Sequence, residues 1–384
     1  MFSSPASSAL RRTALHDLHV ANGGKMVDFA GWALPVQYSD FGIIDSCLHT
    51  RSRASLFDVS HMGQLQVFGK DRIAFVESLT VGDIDGLKEN ESRLSVFTTE
   101  SGGILDDTVI TKKRDFVQLV LNAACVEKDL QHIERHKAAF DGEVELLFLP
   151  KQSLIALQGP ESATVLGDFI DQVDLGRVAF MTTVDCVVAG VAGCSISRSG
   201  YTGEDGFEIS IPTDDGAVHI AERLLSNASV KLAGLAARDT LRIEAGLCLY
   251  GSDINESISP IEAGLAWTVS KRRRVETPNF PGSDVILNQL KNGVSRKRVG
   301  ITVLDGPPAR SSNPIYALSN PSTTVGVTTS GTFSPSLGKS VAIGYVELPH
   351  ATVGTDLLVE VRGKTNPVVV SKLPFIKPNY FRIQ

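Results

Sequence analysis

Apolar and polar positions alternate with period two through residues 94–98 and 104–111, where Val, Ile, Phe and Thr dominate, and this pattern predicts two strands. Glu100-Ser101-Gly102-Gly103 between them is a turn, because paired glycines accept the positive φ that a hairpin requires. Residues 116–121 predict a third strand, which ends at Asn122-Ala123-Ala124, where Asn has a ready role as a helix N-cap. The period then changes. Val126, Leu130, Ile133 and Phe140 fall on one stripe, with Lys128, Asp129, Gln131 and Arg135 outside it, which predicts a helix from about 125 to 140.

The same two periods organise the rest. Residues 30–38 form a turn followed by an apolar anchor. Residues 55–63 begin as a buried strand and end in Ser60-His61-Met62-Gly63, polar enough to enter a cleft. A strand at 153–158 is stopped by Gly159-Pro160 and followed by a helix at 161–170. Residues 184–189 and 191–196 read as a hairpin, too interrupted by Asp185, Gly190 and Gly193 to be a membrane helix. Residues 235–245 form a helix closed by Gly246, with Arg238 and Arg242 one turn apart on one face. At about residue 275 the composition shifts, and 277–282 reads as a linker. Short Val/Ile-rich strands then recur at 299–304, 324–328, 341–346, 357–361 and 368–372, the spacing of a small all-β barrel or sandwich.

A chain of 384 residues exceeds one ordinary core and predicts two or three domains. Its net charge of −6 argues against general nucleic-acid binding, which needs many Lys and Arg contacts to phosphate. Five cysteines with no C-x-x-C pair fit a reducing compartment and argue against a zinc site. Residues 1–13 are rich in Ser, carry Arg11 and Arg12 and contain no acid, the composition of a mitochondrial transit peptide with a cut expected near Arg12 and the matrix as destination.

Asp106 and Asp107 carry the first candidate chemistry. On a strand they point to opposite faces, so one of them lies among apolar neighbours, where desolvation raises its pKa; parity does not say which. His61 is expected to be a satisfied structural residue, and His132 with His136 a solvated helix face, since no third metal ligand is in sequence reach. The loop 199–208 spaces its glycines as G-x-x-G-x-x-G, which is no dinucleotide fingerprint; it reads either as a tight connection with Glu208 exposed or as a loop that admits a flat ligand beside the Tyr201 ring, with Glu208 on the following strand. Arg238 and Arg242 on an apolar helix call for carboxylate partners in the protein or on a ligand. Lys271-Arg272-Arg273-Arg274 is expected to be a solvated run. Gly338-Lys339-Ser340 lacks the glycine of a phosphate loop at position 333, and neither a G-x-S-x-G elbow nor a Cys/His pair supplies a nucleophile.

Taken in order, Phe29-Ala30-Gly31-Trp32, Phe57-Asp58-Val59-Ser60-His61-Met62, Gly102-Gly103-Ile104-Leu105-Asp106-Asp107, Gly200-Tyr201-Thr202-Gly203-Glu204-Asp205-Gly206, Leu235-Ala236-Ala237-Arg238-Asp239 and Gly331-Thr332-Phe333-Ser334-Pro335-Ser336 resemble the T-protein family of the glycine cleavage system. The resemblance implies an α+β fold: two intertwined ferredoxin-like α/β lobes over 14–276 and a C-terminal β-barrel over 277–384, around a central channel. It implies a tetrahydrofolate-dependent aminomethyltransferase, with the lipoyl-bearing H protein as partner, no metal, no membrane and no nucleic acid. By motif position the working carboxylate is Asp107, and Glu208, Asn122 and Arg238 meet the pterin. Leu94, Val120, Met62 and Tyr201 are its walls, Tyr380 closes the site, and Arg310 faces the cleft. The alternatives on the same scaffold are a non-enzymatic folate-binding protein and the folate lobe of a dimethylglycine- or sarcosine-oxidising system.

Overall fold

The computed structural model describes residues 9–275 and 277–383. The chain enters through α1 (His16–Ala21), the hairpin β1 (Gly24–Phe29) and β2 (Trp32–Tyr38), α2 (Ile43–Ser52) and β3 (Ala54–Asp58). Every residue of β3 is buried, so it needs neighbours on both edges and cover on both faces. They arrive much later in the chain.

From Gly63 a first lobe is built: β4 (Gly63–Phe68), α3 (Arg72–Leu79), β5 (Ser92–Thr98), β6 (Ile104–Lys112), β7 (Val117–Leu121), α4 (Val126–Ala139) and β8 (Glu145–Phe148). Its sheet runs β5-β6-β7-β4-β8. Without the edge strand β5, this is the βαββαβ plan of a ferredoxin-like lobe. α3 and α4 bring Phe75, Leu79 and Ile133 onto Leu65, Ile110 and Leu119 of the sheet. At the β5–β6 turn Gly102 has φ +81°, and a Cβ on Gly103 would collide with the Glu256 carbonyl, so both positions require glycine.

The second lobe repeats the plan with β9 (Ser153–Gln158), α5 (Ser162–Gly167), β10 (Thr183–Val188), β11 (Val191–Ser197), β12 (Gly206–Ile211), α6 (Asp214–Leu225) and β13 (Val230–Leu232). Its sheet order is β10-β11-β12-β9-β3-β13. β3, made before the first lobe, is wedged antiparallel to β9 and parallel to β13. This wedge is the intertwining that the family resemblance implied: removing residues 54–58 would split the second lobe's sheet.

α7 (Leu235–Glu244), α8 (Lys271–Val275) and α9 (Ser283–Asn292) lead to the barrel strands β14 (Arg296–Val303), β15 (Pro314–Ala317), β16 (Asn320–Ser334), β17 (Lys339–Glu347), β18 (Asp356–Val361) and β19 (Lys364–Ser371). The closed order is β14-β17-β16-β15-β18-β19, and the β14–β19 pairing removes the free edges. Ile301, Ile315, Val359 and Val368 fill the interior. The linker expected at 277–282 leads straight into α9, whose Ile286 joins Val96 and Ile104 of the first lobe in one core.

The arginine run at 271–274 is a correction. Arg273 is fully buried and donates to the carbonyls of Thr80 (3.2 Å) and Thr277 (2.6 Å) and to Asn279 (2.6 Å). Arg272 pairs with Glu77 and Asp83, and Arg274 donates to the Val269 carbonyl. Arg272 and Arg273 clamp the first lobe, and of the four residues only Lys271 is exposed. After β19 the tail returns to the lobes: Phe375 N donates to the Glu244 carbonyl (3.0 Å), and Asn379 reaches Gly203 O (2.8 Å) and Glu204 (3.0 Å). Arg51 pairs with both Glu204 and Glu244, joining α2 to the tail's anchors.

Of the expected leader, residues 1–8 lie outside the described residues. Arg11 exchanges backbone hydrogen bonds with Gly31 and Ala33, its guanidinium lies 4.0 Å from the Trp32 ring, and Thr13 donates to buried Asp58 at 2.6 Å. A cut after residue 13 would remove all of these contacts.

Candidate active site

β6 carries the acid pair, and its register shows which face each takes. Asp106 is fully buried opposite Phe97, on the face covered by α4. Asp107 is half-buried on the other face, two residues from Val109. Leu94, Val109, Val120 and Gln64 form one row across β5, β6, β7 and β4, so Leu94 and Val120 lie on the Asp107 face. Met62, in the turn between β3 and β4, packs with Val120 against Phe57, Ala237 and Leu241.

Asn122, immediately after β7, holds the pair together. Its Nδ2 donates to Oδ1 of Asp106 and to Oδ1 of Asp107, each at 2.9 Å, and to the Asp107 carbonyl at 3.2 Å. It is not the N-cap of α4; Cys125 occupies that position. With the amide nitrogen committed, Oδ1 of Asn122 is left to accept from a ligand. Burial, with the charge of Asp106 adding to it, pushes Asp107 up to about 7.

The opposite wall comes from the glycine loop and α7. Glu208 on β12 accepts from Ser199 Oγ at 2.7 Å. The Tyr201 hydroxyl donates to the Cys248 carbonyl, and its ring lies 4.5 Å from the Arg238 guanidinium. Arg242 finds the carboxylates that the sequence called for, Asp239 at 2.8 Å and buried Asp253. Among the described residues the Arg238 side chain makes no ion pair and no hydrogen bond, so its planar donor set is unspent. Burial pulls its guanidinium below the ordinary value, with Tyr201 and Glu208 opposing. Burial raises Tyr201, and the charges acting on it include those of Asp107, Arg242 and Arg238. Asp107, Tyr201, Arg238 and Glu208 are therefore one electrostatic neighbourhood.

Glu208, Val120 and Val109 line a groove of about 820 Å³ between the lobes, within the usual range for a small-molecule site. One end is clasped by Gln152, Ser210 and Gln64 (2.8 and 2.6 Å), and Lys113 bridges to Asp185 at 2.7 Å. Asp107, Asn122, Tyr201 and Arg238 are not among the residues that line this groove, and two further candidates stand apart from the acid pair. Tyr380 stacks on Phe180 with centroids 4.1 Å apart, positioned by the anchored tail. Arg310 is exposed on the barrel, donates to the Gly331 carbonyl at 2.8 Å and borders a separate cavity of about 250 Å³.

Three titratable side chains depart from their expected settings. His61 is buried against the Phe29 ring, and its Nδ1 has no hydrogen-bond partner. Burial lowers it to about 4, so it is neutral. His132 is partly buried with Nε2 unpartnered and is held at about 4 by burial and by His136 and Arg135. Asp129, outside the apolar stripe of its helix by sequence, is fully buried. No group of three His, Cys, Asp or Glu among the described residues could hold a metal ion.

Two family models match the chain: the GCVT N-terminal domain over residues 15–273 and the glycine cleavage T-protein C-terminal barrel domain over 296–377. The chain belongs to the glycine cleavage T-protein family. The mitochondrial aminomethyltransferase of Homo sapiens is 51% identical, covering 99% of this chain and 93% of that protein. That of Mus musculus is 50% identical (99% and 94%), and that of Pisum sativum 48% (98% and 91%). The crystal structure of the glycine cleavage system aminomethyltransferase T from Bartonella henselae superposes with a TM-score of 0.90 at 38% identity, covering 97% of this chain and all of that one. This T-protein family chain is, with these relatives, mitochondrial; no helix among its described residues is long and apolar enough to cross a membrane.

Proposed function

We propose that this chain is the aminomethyltransferase of the glycine cleavage system, acting in the mitochondrial matrix with tetrahydrofolate as co-substrate and the lipoyl-bearing H protein as donor. The aminomethyl group on the lipoyl sulfur gives its methylene to folate, ammonia leaves, and 5,10-methylenetetrahydrofolate forms. Relatives 50–51% identical over nearly the whole chain bear the aminomethyltransferase name, so neither a non-enzymatic folate scaffold nor the folate lobe of a dimethylglycine- or sarcosine-oxidising protein is favoured.

The observation that carries the site reading is Asn122 clamping Asp107 on the Val109–Val120 face of the sheet, with Tyr201 between it and an unspent Arg238 in the electrostatics. Positive charge develops at the transferred carbon. A fixed carboxylate in a water-poor site stabilises it, and near its own pKa it also takes or orients the proton of the folate amine. Asn122 Oδ1 and Glu208 accept from the pterin edge, Arg238 donates to it, and Tyr201 offers a face. Leu94, Val120 and Met62 keep water from the reacting atoms. Tyr380 closes the site from the tail side, whereas Arg310, which borders a separate cavity on the barrel, takes no part in this reading. In this reading 14–276 is the folate-binding region and 277–384 the barrel domain.

Ammonia release from aminomethylated H protein, measured with and without tetrahydrofolate, tests the proposal. Strong stimulation by folate is expected. Release that is absent, or indifferent to folate, would remove the transferase reading.

A further inference from the structure

Asp129 on α4 is fully buried, and neither of its carboxylate oxygens has a hydrogen-bond partner among the described residues. What lies within hydrogen-bonding range is the carboxylate of Asp106. An unpaired buried carboxylate is too costly to persist, so such a group neutralises. The cation beside it on the helix does not serve. Lys128 Nζ is directed to the Leu105 carbonyl and the Tyr250 hydroxyl, both at 2.6 Å, and to Glu256 at 3.7 Å.

The two acids are not equivalent. Asp106 receives two donors from Asn122, the side-chain amide at 2.9 Å and the backbone N–H at 3.3 Å, while Asp129 receives none. Asp106 is therefore the better anion and Asp129 the better place for a proton. We propose that Asp129 is carried as the neutral acid and donates its proton in a hydrogen bond to Asp106, making it a positioning residue that keeps Asp106 ionised behind the working carboxylate. Burial and the Asp106 charge both push Asp129 far above the carboxylate range, which agrees.

The consequence passes through β6 to its other face. An ionised Asp106 repels charge on its chain neighbour Asp107 and raises it. Asn122 ties the two carboxylates at fixed separation, so the effect does not relax by a side-chain swing. The other groups facing this set are the Cys125 and Lys128 side chains of α4, and, around Asp107, Tyr201 and Cys248. Burial raises both thiols and the phenol, so they stay uncharged near neutrality. The inference rests on Asp107 being the working carboxylate only for its kinetic readout.

Two measurements test it. Infrared spectra of the folded protein, above the Asp107 titration, should show a buried carboxylic-acid carbonyl band. The band should survive Asp107→Asn and disappear in Asp129→Asn. Its absence from the wild type, or its survival in Asp129→Asn, would overturn the proposal, whatever the role of Asp107. In pH–rate profiles of folate-dependent ammonia release, Asp129→Asn, which still donates a hydrogen bond, should keep the acid limb in place. Asp129→Leu removes the donor, lets Asp106 protonate, and should move the limb about one unit lower. Equal shifts in the two variants would also contradict it.

Discussion

At the scale of single residues, the site is a set of carboxylates sorted by their surroundings. Asp106, Asp107 and Asp129 are the same side chain in three settings: fully buried with amide donors, half-buried on the opposite face of the sheet, and fully buried with no donor. Asp107 raised to about 7 predicts a folate-dependent rate that climbs with pH and levels off above 7. Its proton is held more tightly folded than unfolded, where the pKa is about 3.9. The matching stability is present at low pH and is lost as pH rises through 7, so thermal melts of Asp107→Asn should gain on the wild type on going from pH 5 to pH 8. Arg238 and Glu208 act differently. Arg238→Ala and Glu208→Ala are expected to weaken tetrahydrofolate binding by roughly tenfold or more, about 1.5–3 kcal/mol for a charged hydrogen bond. Titration calorimetry would read this, and unchanged affinity would place the pterin elsewhere.

Elements show where sequence reading succeeds and where it stops. The β5–β6 hairpin, the glycine loop before β12 and the stop of α7 at Gly246 (φ +67°) were legible because each is fixed by residues within a turn's reach. The faces of Asp106 and Asp107 were not, since strand parity leaves both open until α4 packs on one side. Asn122 had the local signature of an N-cap, but the carboxylates on the neighbouring strand take its donors. The α8 arginines misled for a similar reason: Glu77 and Asp83 lie nearly two hundred residues away in sequence. α9 offered too small an apolar face to be seen, with Ile286 its one fully buried residue. Because Arg273 holds α8 to the end of α3 through fully desolvated donors, Arg273→Met should cost about 3 kcal/mol or more in chemical denaturation. A loss below about 1 kcal/mol would return the run to the status of surface charge.

For the whole molecule, the decisive features are the strand β3 and the tail, each of which ties one unit to another. β3 commits the second lobe to the entry segment, and residues 375–380 strap the barrel to the glycine loop and α7. Ending the chain after Lys372 should leave the barrel strands intact but free the Gly203–Glu204 turn. A raised KM for tetrahydrofolate with a smaller change in melting temperature is expected, and an unchanged KM would deny Tyr380 and the tail a part in the site. The proposed transfer requires a carboxylate held at the lobe interface beside the reacting nitrogens. Tetrahydrofolate affinity and turnover measured side by side on Asp107→Asn test this most directly. Affinity within a few-fold of the wild type with turnover reduced about a hundred- to a thousand-fold is the predicted result; full turnover in that variant would contradict it.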